Sequence, residues 1–228
     1  MSNHNCPICS FEVELKSKPG LFARCFSGRD IQRYQCPNCD CIFGPLDMLT
    51  HPDIMSTYEK MSVDRVENDV KVRTQAEIMA FNYINKVGKN GNYLNFGAGK
   101  WSQSVVQLRA DGWNLDAYEP CSTASLSGIE VFSKISDLRT NFYDGIFTHD
   151  VLEHFQNPIE TIKLLGTLLK TNGLQCHKSP CFSYGYEWSS WHIFYPIGRS
   201  VNILVEKSGQ ELVQRETDVI ILRKKREI

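Results

Sequence analysis

A mostly parallel, doubly wound α/β sheet is the fold class that this 228-residue sequence predicts, with a small cysteine-built module ahead of it. Three observations predict it. From Asn92 onward, short runs rich in aromatic and β-branched residues alternate with stretches of helical period, the pattern of strand–helix units. Several of those runs end at glycine-bearing or polar junctions. Two CPxC pairs stand earlier, in a segment too poor in aliphatic residues to build a core.

Those pairs are Cys6-Pro7-Ile8-Cys9 and Cys36-Pro37-Asn38-Cys39. Cysteines two residues apart can aim both sulfurs at one ion from a tight turn, and two such turns complete a tetrahedral sulfur set. With all four positions filled by cysteine no place is left for water, so a zinc held there is expected to be structural. Metal ligation would supply the stability that so small a segment lacks. A redox role is the rival reading, and the matched pairs favour metal. "FEVEL" and "IQRYQ" read as strands, with turns at Pro19-Gly20 and Ser27-Gly28. Cys25 and Cys41 remain as spare thiols. The zinc-ribbon-like module is expected over residues 1–45, followed by a connector over 46–69 and the main domain over 70–228.

Composition narrows the functions. A net charge of −1 gives no global field for nucleic acid or acidic membranes, so neither is an expected partner. Arg223-Lys224-Lys225-Arg226 reads as the solvated end of a final strand. "MSNHNCPICSF" lacks the pattern of a secretory signal, and no apolar run approaches the roughly 18 residues that cross a bilayer. Nine cysteines, four of them in CxxC pairs rather than at disulfide-framework spacing, suit a reducing compartment, and a cytoplasmic protein is expected.

The main domain opens with a helix from about Val70, in which Val72, Ala76, Met79, Tyr83 and Val87 recur at helical spacing. "NYLNF" is the first strand. The run from Trp101 to about Ala110 is a helix with Val105, Val106 and Leu108 inward. "WNLDAY", "GIEVF" and "YDGIFTH" are the next strands. Asn157-Pro158-Ile159-Glu160 opens a helix with a capping side chain, proline first and an acid third. Ile159, Ile162, Leu165 and Leu169 form its buried face, and Asn172-Gly173 its end. "LQCH" is a fifth strand, "RSVNILVEKSG" a helix, and "ELVQR" and "DVIILRK" a closing strand pair.

In such sheets ligands bind beyond the carboxyl ends of the strands, where strand order reverses. The rim is therefore expected at Asn95-Phe96-Gly97-Ala98-Gly99, Tyr118-Glu119-Pro120 and Thr148-His149-Asp150. Gly97 and Gly99 let backbone approach a ligand closely. Glu119 lies 20 positions after Gly99 and can accept both hydroxyl protons of a ribose. A dinucleotide site wants a third glycine, where this chain has Lys100-Trp101, so a nucleoside without phosphates is the better fit.

Here the chain resembles class I S-adenosylmethionine-dependent methyltransferases, in "YLNFGAG", "YEP", "YDGIFTHDVLEHFQNP" and "LLKTNGLQCHKSP". The N-terminal CPxC module resembles the zinc-binding extension of some bacterial members. The resemblance implies a Rossmann-like sheet and S-adenosylmethionine as methyl donor. It places the methionine part over Gly97, Ala98 and Gly99, and the ribose at Glu119 beside Pro120. Ile135 and Asp137 would lie near the adenine, and His149 and Asp150 near the methyl group. The family's frequent acid before the glycine turn is Asn95 here, whose amide oxygen can still accept from the methionine ammonium.

Asp150, Glu153 and His154 give the pattern acid-x-x-acid-His, similar to ubiquinone-pathway and small-RNA O-methyltransferases, in which it can hold a divalent cation such as Mg²⁺. His192 would close that site from a later loop. His154 acting as a general base without metal, and a structural role in capping the helix and lining the pocket, are the open alternatives. His177 is a second candidate base. Tyr184, Tyr186, Trp188, Trp191 and Tyr195 would cover the acceptor. The expected activity is methylation of a small polar acceptor, first a sugar hydroxyl in glycan or nucleotide-sugar biosynthesis. An RNA methyltransferase gripping substrate through its zinc module, or a non-catalytic zinc-ribbon interaction protein, are the alternatives.

Overall fold

Seven strands share one sheet in the computed structural model, which describes residues 4–13, 21–24, 30–44, 46, 67–99, 102–120, 131–183 and 191–225. Cys25, most of the expected connector, Lys100-Trp101, the start of "GIEVF" and residues 184–190 of the aromatic run lie outside the described residues.

The module contributes β1 (His4–Asn5), β2 (Glu12–Val13), β3 (Leu21–Arg24), β4 (Asp30–Gln35) and β5 (Ile42–Phe43). The main domain follows with α1 (Glu67–Ile84), β6 (Asn92–Phe96), α2 (Gln103–Ala110), β7 (Asn114–Tyr118), β8 (Val131–Phe132) and β9 (Tyr143–His149). It ends with α3 (Pro158–Leu168), β10 (Leu169–Lys178), β11 (Phe194–Tyr195), α4 (Ser200–Lys207), β12 (Gln210–Arg215) and β13 (Val219–Lys224). Sheet order is β12-β13-β10-β9-β6-β7-β8. The pairs from β10 to β8 are parallel, while β13 is antiparallel to both neighbours.

Successive β6 side chains point to opposite faces, and both faces are covered. Tyr93 enters the layer under α1 and α2 with Phe81, Leu115 and Phe147. Leu94 and Phe96 enter the layer with Leu165 and Leu168 of α3. This two-sided burial explains why the parallel strands read as apolar runs. Phe81 meets Tyr93, Trp113 and Phe147 edge-on, with ring centres 5.1, 4.8 and 5.8 Å away, a favoured aromatic arrangement.

Three local expectations are corrected. The buried face of α1 carries Thr74, Glu77, Ala80, Phe81 and Ile84, whereas Val72, Met79 and Val87 are 67%, 54% and 56% exposed. The polar Glu77 and Thr74 hid the true seam. Asn157 caps α3 without its side chain: its carbonyl accepts from the Thr161 amide at 3.0 Å and hydroxyl at 3.1 Å. Finally, α3 stops at Leu168, short of Asn172-Gly173. Leu169 instead pairs with Tyr143, and a register shift before Leu174 accommodates Asn172 at φ 65°.

The module is stitched to the main domain. β11 pairs with β5 through Phe194–Phe43 and Tyr195–Ile42, giving a four-stranded sheet β11-β5-β4-β3. One apolar cluster runs from Cys6, Ile8, Cys36, Cys39 and Phe43 to Leu152, Ile162, Phe194 and Val201. No described helix is long and apolar enough to cross a membrane.

Candidate active site and thiolate centre

Strand order reverses at β6, between β9 and β7, so the carboxyl ends of these strands border one crevice. The turn after β6 enters it. Gly97 has φ +85° and Gly99 φ +68°, left-handed values that favour glycine. The Gly97 and Ala98 amides donate to the Tyr118 carbonyl at 2.8 and 3.0 Å, holding the turn against β7. The Gly99 amide donates to Glu119 Oε2 at 2.9 Å, so the expected ribose-binding acid already lies against the glycine turn. Among the described residues a Cβ on Gly99 would meet nothing within 4 Å, whereas one on Gly97 would fall 2.5 Å from Val151 Cγ2. One glycine therefore faces open space and the other is pressed on the chain after β9.

Beneath the turn lies a carboxylate that the sequence concealed. Glu77 of α1 is 1% exposed. Its Oε2 accepts from Ser102 Oγ at 2.8 Å, from Asn95 Nδ2 at 3.3 Å and from Ser104 Oγ, while Arg73 Nε lies 3.4 Å from Oε1. A buried charge needs such partners. They tie α1 to the end of β6 and to the start of α2. Because its amide nitrogen points to Glu77, Asn95 is oriented by an acid supplied from the preceding helix. A lone polar residue at helical spacing with Phe81 and Ile84 was the only available signal.

His149 ends β9, and Asp150 follows it. Asp150 sits at φ +52°, with its amide donating to the Lys178 carbonyl at 3.0 Å. Its Oδ1 is buried without a hydrogen-bond partner among the described residues and stands 3.7 Å from His149 Nε2. Burial holds the His149 pKa below the usual histidine range despite Asp150 beside it. Pro120, Ile135 and Asp137 are exposed at the ends of β7 and on the turn after β8.

A tighter cluster follows on the short helical turn Leu152–His154. Glu153 is 1% exposed; its Oε2 is buried without a hydrogen-bond partner among the described residues, and Oε1 lies 3.7 Å from His192 Nε2. Burial, then the nearby Asp150, pushes the Glu153 pKa up to about 8. His154 Nδ1 lies 2.7 Å from the Trp191 carbonyl. A carbonyl only accepts, so Nδ1 carries the hydrogen and Nε2 the lone pair of the neutral ring. His192 Nδ1 is 3.2 Å from Cys181 Sγ, and burial, then His154, pushes its pKa down to about 2. Single ligand atoms of Glu153, His154 and His192 all lie within 4.8 Å of one another. His192, expected only to close the site, is thus a full member of the triad, and Asp150 stands outside it. One carboxylate and two imidazoles suit a borderline transition ion better than Mg²⁺, and the unpartnered Glu153 Oε2 fits a cation.

His177 is placed elsewhere. It lies inside the sheet at 0% exposure, with Nδ1 3.0 Å from Thr148 Oγ1 and Nε2 3.0 Å from Gln175 Oε1. Both ring nitrogens are engaged within the core, which withdraws it as a base. Burial lowers its pKa to about 4. The unfolded chain therefore binds a proton that the native ring refuses. This stability is full above about pH 6.5 and is lost as pH falls toward 4, at most about 3 kcal/mol. Urea unfolding of wild type at pH 7 and pH 4.5 is expected to show a loss that is smaller in His177→Gln; equal losses would refute the assignment.

At the module, the described cysteines are all free thiols. Cys6 and Cys39 sulfurs are 3.5 Å apart, Cys9 and Cys36 3.4 Å, and the four lie within 4.8 Å. The knuckles repeat one geometry: Ser10 and Asp40 amides return to the Cys6 and Cys36 carbonyls at 2.9 Å, with φ 65° and 70°. Zinc–sulfur bonds of about 2.3 Å imply sulfur–sulfur edges of roughly 3.8 Å, so the set could hold zinc.

Comparison with known proteins agrees with this architecture. A family model described as a methyltransferase domain matches residues 73–215. No curated protein matches. Among solved structures, Burkholderia thailandensis 1,6-didemethyltoxoflavin-N1-methyltransferase, bound to 1,6-didemethyltoxoflavin and S-adenosylhomocysteine, is similar at TM-score 0.60 and 14% identity, covering 87% of this chain and 96% of that one. An S-adenosylmethionine-dependent methyltransferase from Thermotoga maritima matches at 0.52 and 14%, covering 79% and 99%. Human N-acetylserotonin methyltransferase, in complex with S-adenosylmethionine, matches at 0.52 and 11%, covering 68% and 52%. With its glycine turn and reversed strand order, the chain belongs to the methyltransferase-domain family and has the fold of S-adenosylmethionine-dependent methyltransferases.

Proposed function

We propose that the protein methylates a hydroxyl of a small polar acceptor, a sugar in glycan or nucleotide-sugar biosynthesis, with S-adenosylmethionine as donor. The observation that supports the donor site is the contact between Glu119 Oε2 and the Gly99 amide: it holds a carboxylate able to accept from a ribose diol beside the glycine turn. Gly97, Ala98 and Gly99 then face the methionine part. Asn95 presents its oxygen to the ammonium, and Pro120, Ile135 and Asp137 border the adenine. His149 and Asp150 flank the methyl group.

The sulfonium supplies an activated methyl carbon and a neutral leaving group. The acceptor oxygen forms the new bond to that carbon as the carbon–sulfur bond breaks. Its proton passes to His154 Nε2, the basic nitrogen left by the Trp191 contact. In the alternative in which Glu153, His154 and His192 hold a divalent cation, His154 Nε2 would be a ligand rather than the base, and the cation would lower the pKa of the acceptor hydroxyl, whose proton would pass to water. The polar wall beside the methyl position and the balanced charge favour a hydroxyl-bearing small molecule over a phosphate chain. Four clustered thiols suit the reducing cytoplasm.

Calorimetry with S-adenosylhomocysteine is expected to show binding that weakens at least about 100-fold in Glu119→Ala, the loss of a charge-assisted pair of hydrogen bonds. A screen of nucleotide sugars with methyl-labelled donor then identifies the acceptor. Absence of nucleoside binding by wild type would end this reading, and RNA binding that falls steeply with salt would redirect the acceptor to RNA.

A further inference from the structure

Arg33 of β4 belongs to the thiolate module, yet it is fully buried. A guanidinium is costly there unless its donors are used. Nη1 donates to the Gly44 carbonyl and, at 2.6 Å, to the carbonyl of His192. Nη2 donates to the Tyr195 hydroxyl at 3.0 Å, with the guanidinium carbon 5.0 Å from that ring's centre. Two of these partners thus lie on the segment that carries His192 to Glu153 and His154.

The backbone repeats the connection. The Ile193 amide donates to the Glu153 carbonyl at 2.9 Å, and the Ile193 carbonyl accepts from the Gly44 amide at 2.8 Å. An unbroken path therefore runs from the turn bearing Glu153, through Ile193, into the module. β11 extends it by pairing with β5. Leu152 and Phe194 pack in the same cluster as the ligand cysteines, whereas Ala98 of the glycine turn packs in another. The module is bound to one half of the cleft and the cofactor side rests on a different core.

We propose that the thiolate module is the acceptor-side wall of the reaction cleft, and that Arg33 is a positioning residue that sets His192 opposite Glu153 and His154. What the wall does for the reaction rests on the functional reading above; the coupling stands on the contacts just described. Arg33 fixes the backbone at His192 and, through its hydroxyl, the ring of Tyr195, whose centre lies 6.3 Å from that of the imidazole, edge-on. Cys181, 3.2 Å from the same imidazole, is shielded by this arrangement.

The test uses the full chain with Arg33→Met, Arg33→Lys and Tyr195→Phe. It reads zinc content, S-adenosylhomocysteine affinity, the ¹⁵N shifts of the His192 ring and the alkylation rate of Cys181 mapped by mass spectrometry. Arg33→Met is expected to keep its zinc and bind the nucleoside within about twofold of wild type, while His192 shifts move and Cys181 reacts at least about tenfold faster. Lysine retains a point donor and should restore part of the effect. Unchanged His192 shifts and Cys181 rate in Arg33→Met would overturn the proposal. Should that variant fail to fold, Tyr195→Phe decides in the same way, since it removes one acceptor only. Wild type that binds no nucleoside would refute the functional reading, and the His192 and Cys181 readouts would still judge the coupling.

Discussion

Stripping metal from the thiolate cluster is expected to lower the thermal midpoint by roughly 10 °C or more and to loosen the cleft rim together with the module. The reason begins with charge. Cys6 is held far below the usual thiol range by hydrogen bonds from Cys39 and Cys41, while burial pushes Cys36 up to about 11. Four sulfurs this close can hold one negative charge among them but not four. A dication removes that repulsion, and structural zinc sites supply folding energy outright. The effect spreads because Cys6, Cys36 and Cys39 share an apolar cluster with Leu152, Ile193 and Phe194. Thermal melts with and without chelator, alongside colorimetric zinc release, check it. A protein that purifies without metal, and whose midpoint is unchanged by Cys36→Ser, would refute it.

Gly97→Ala is expected to be the most damaging single-methyl change at the rim. At φ +85° an L side chain costs about 1–2 kcal/mol before any contact is counted. The new Cβ would then stand 2.5 Å from Val151 Cγ2 and 2.9 Å from Cγ1, so the turn or the segment after β9 must move. Overpacking of this kind adds about 1–3 kcal/mol. Because the displaced turn is the one proposed to cradle the cofactor and to hold Glu119 through the Gly99 amide, nucleoside affinity should fall at least about 100-fold. Gly99→Ala separates the two causes. Its Cβ meets nothing within 4 Å among the described residues, so stability should drop by only about 1–2 kcal/mol of backbone strain, while a methyl enters the proposed cofactor space. Gly97→Ala/Val151→Ala should recover part of the stability. Urea unfolding and calorimetry check all three; equal stability losses in the two single variants would contradict the steric account.

Much of this fold was legible because its signals are local. The strands "NYLNF" and "YDGIFTH" are apolar runs of strand length, and the CPxC spacing permits a sulfur cluster whatever surrounds it. Helix α1 was legible as a helix but not in orientation. Its exposed Val72 and Met79 look like a core stripe, and its buried Glu77 looks like solvent. Periodicity weighs residue types, and a carboxylate satisfied by Asn95, Ser102, Ser104 and Arg73 reverses that weighting through partners 18 to 27 residues away or one turn back. His177 misled for a similar reason. Its place at the end of a strand run suggested the rim, yet Thr148 and Gln175 satisfy both nitrogens within the sheet.

The sequence alone determined the methyltransferase-type sheet and the four clustered cysteines, and it named Gly97, Gly99, Glu119 and Asp150 as candidates at the strand ends. Each depends on spacing within one strand–turn unit or one knuckle. Only the tertiary structure decided that Glu77 lies beneath the glycine turn, that His192 joins Glu153 and His154, and that Arg33 reaches across from the module. These depend on side chains up to 162 positions apart meeting where water is excluded. There an unmet charge is costly enough to dictate its own partners, and no local pattern in the chain records which partners those will be.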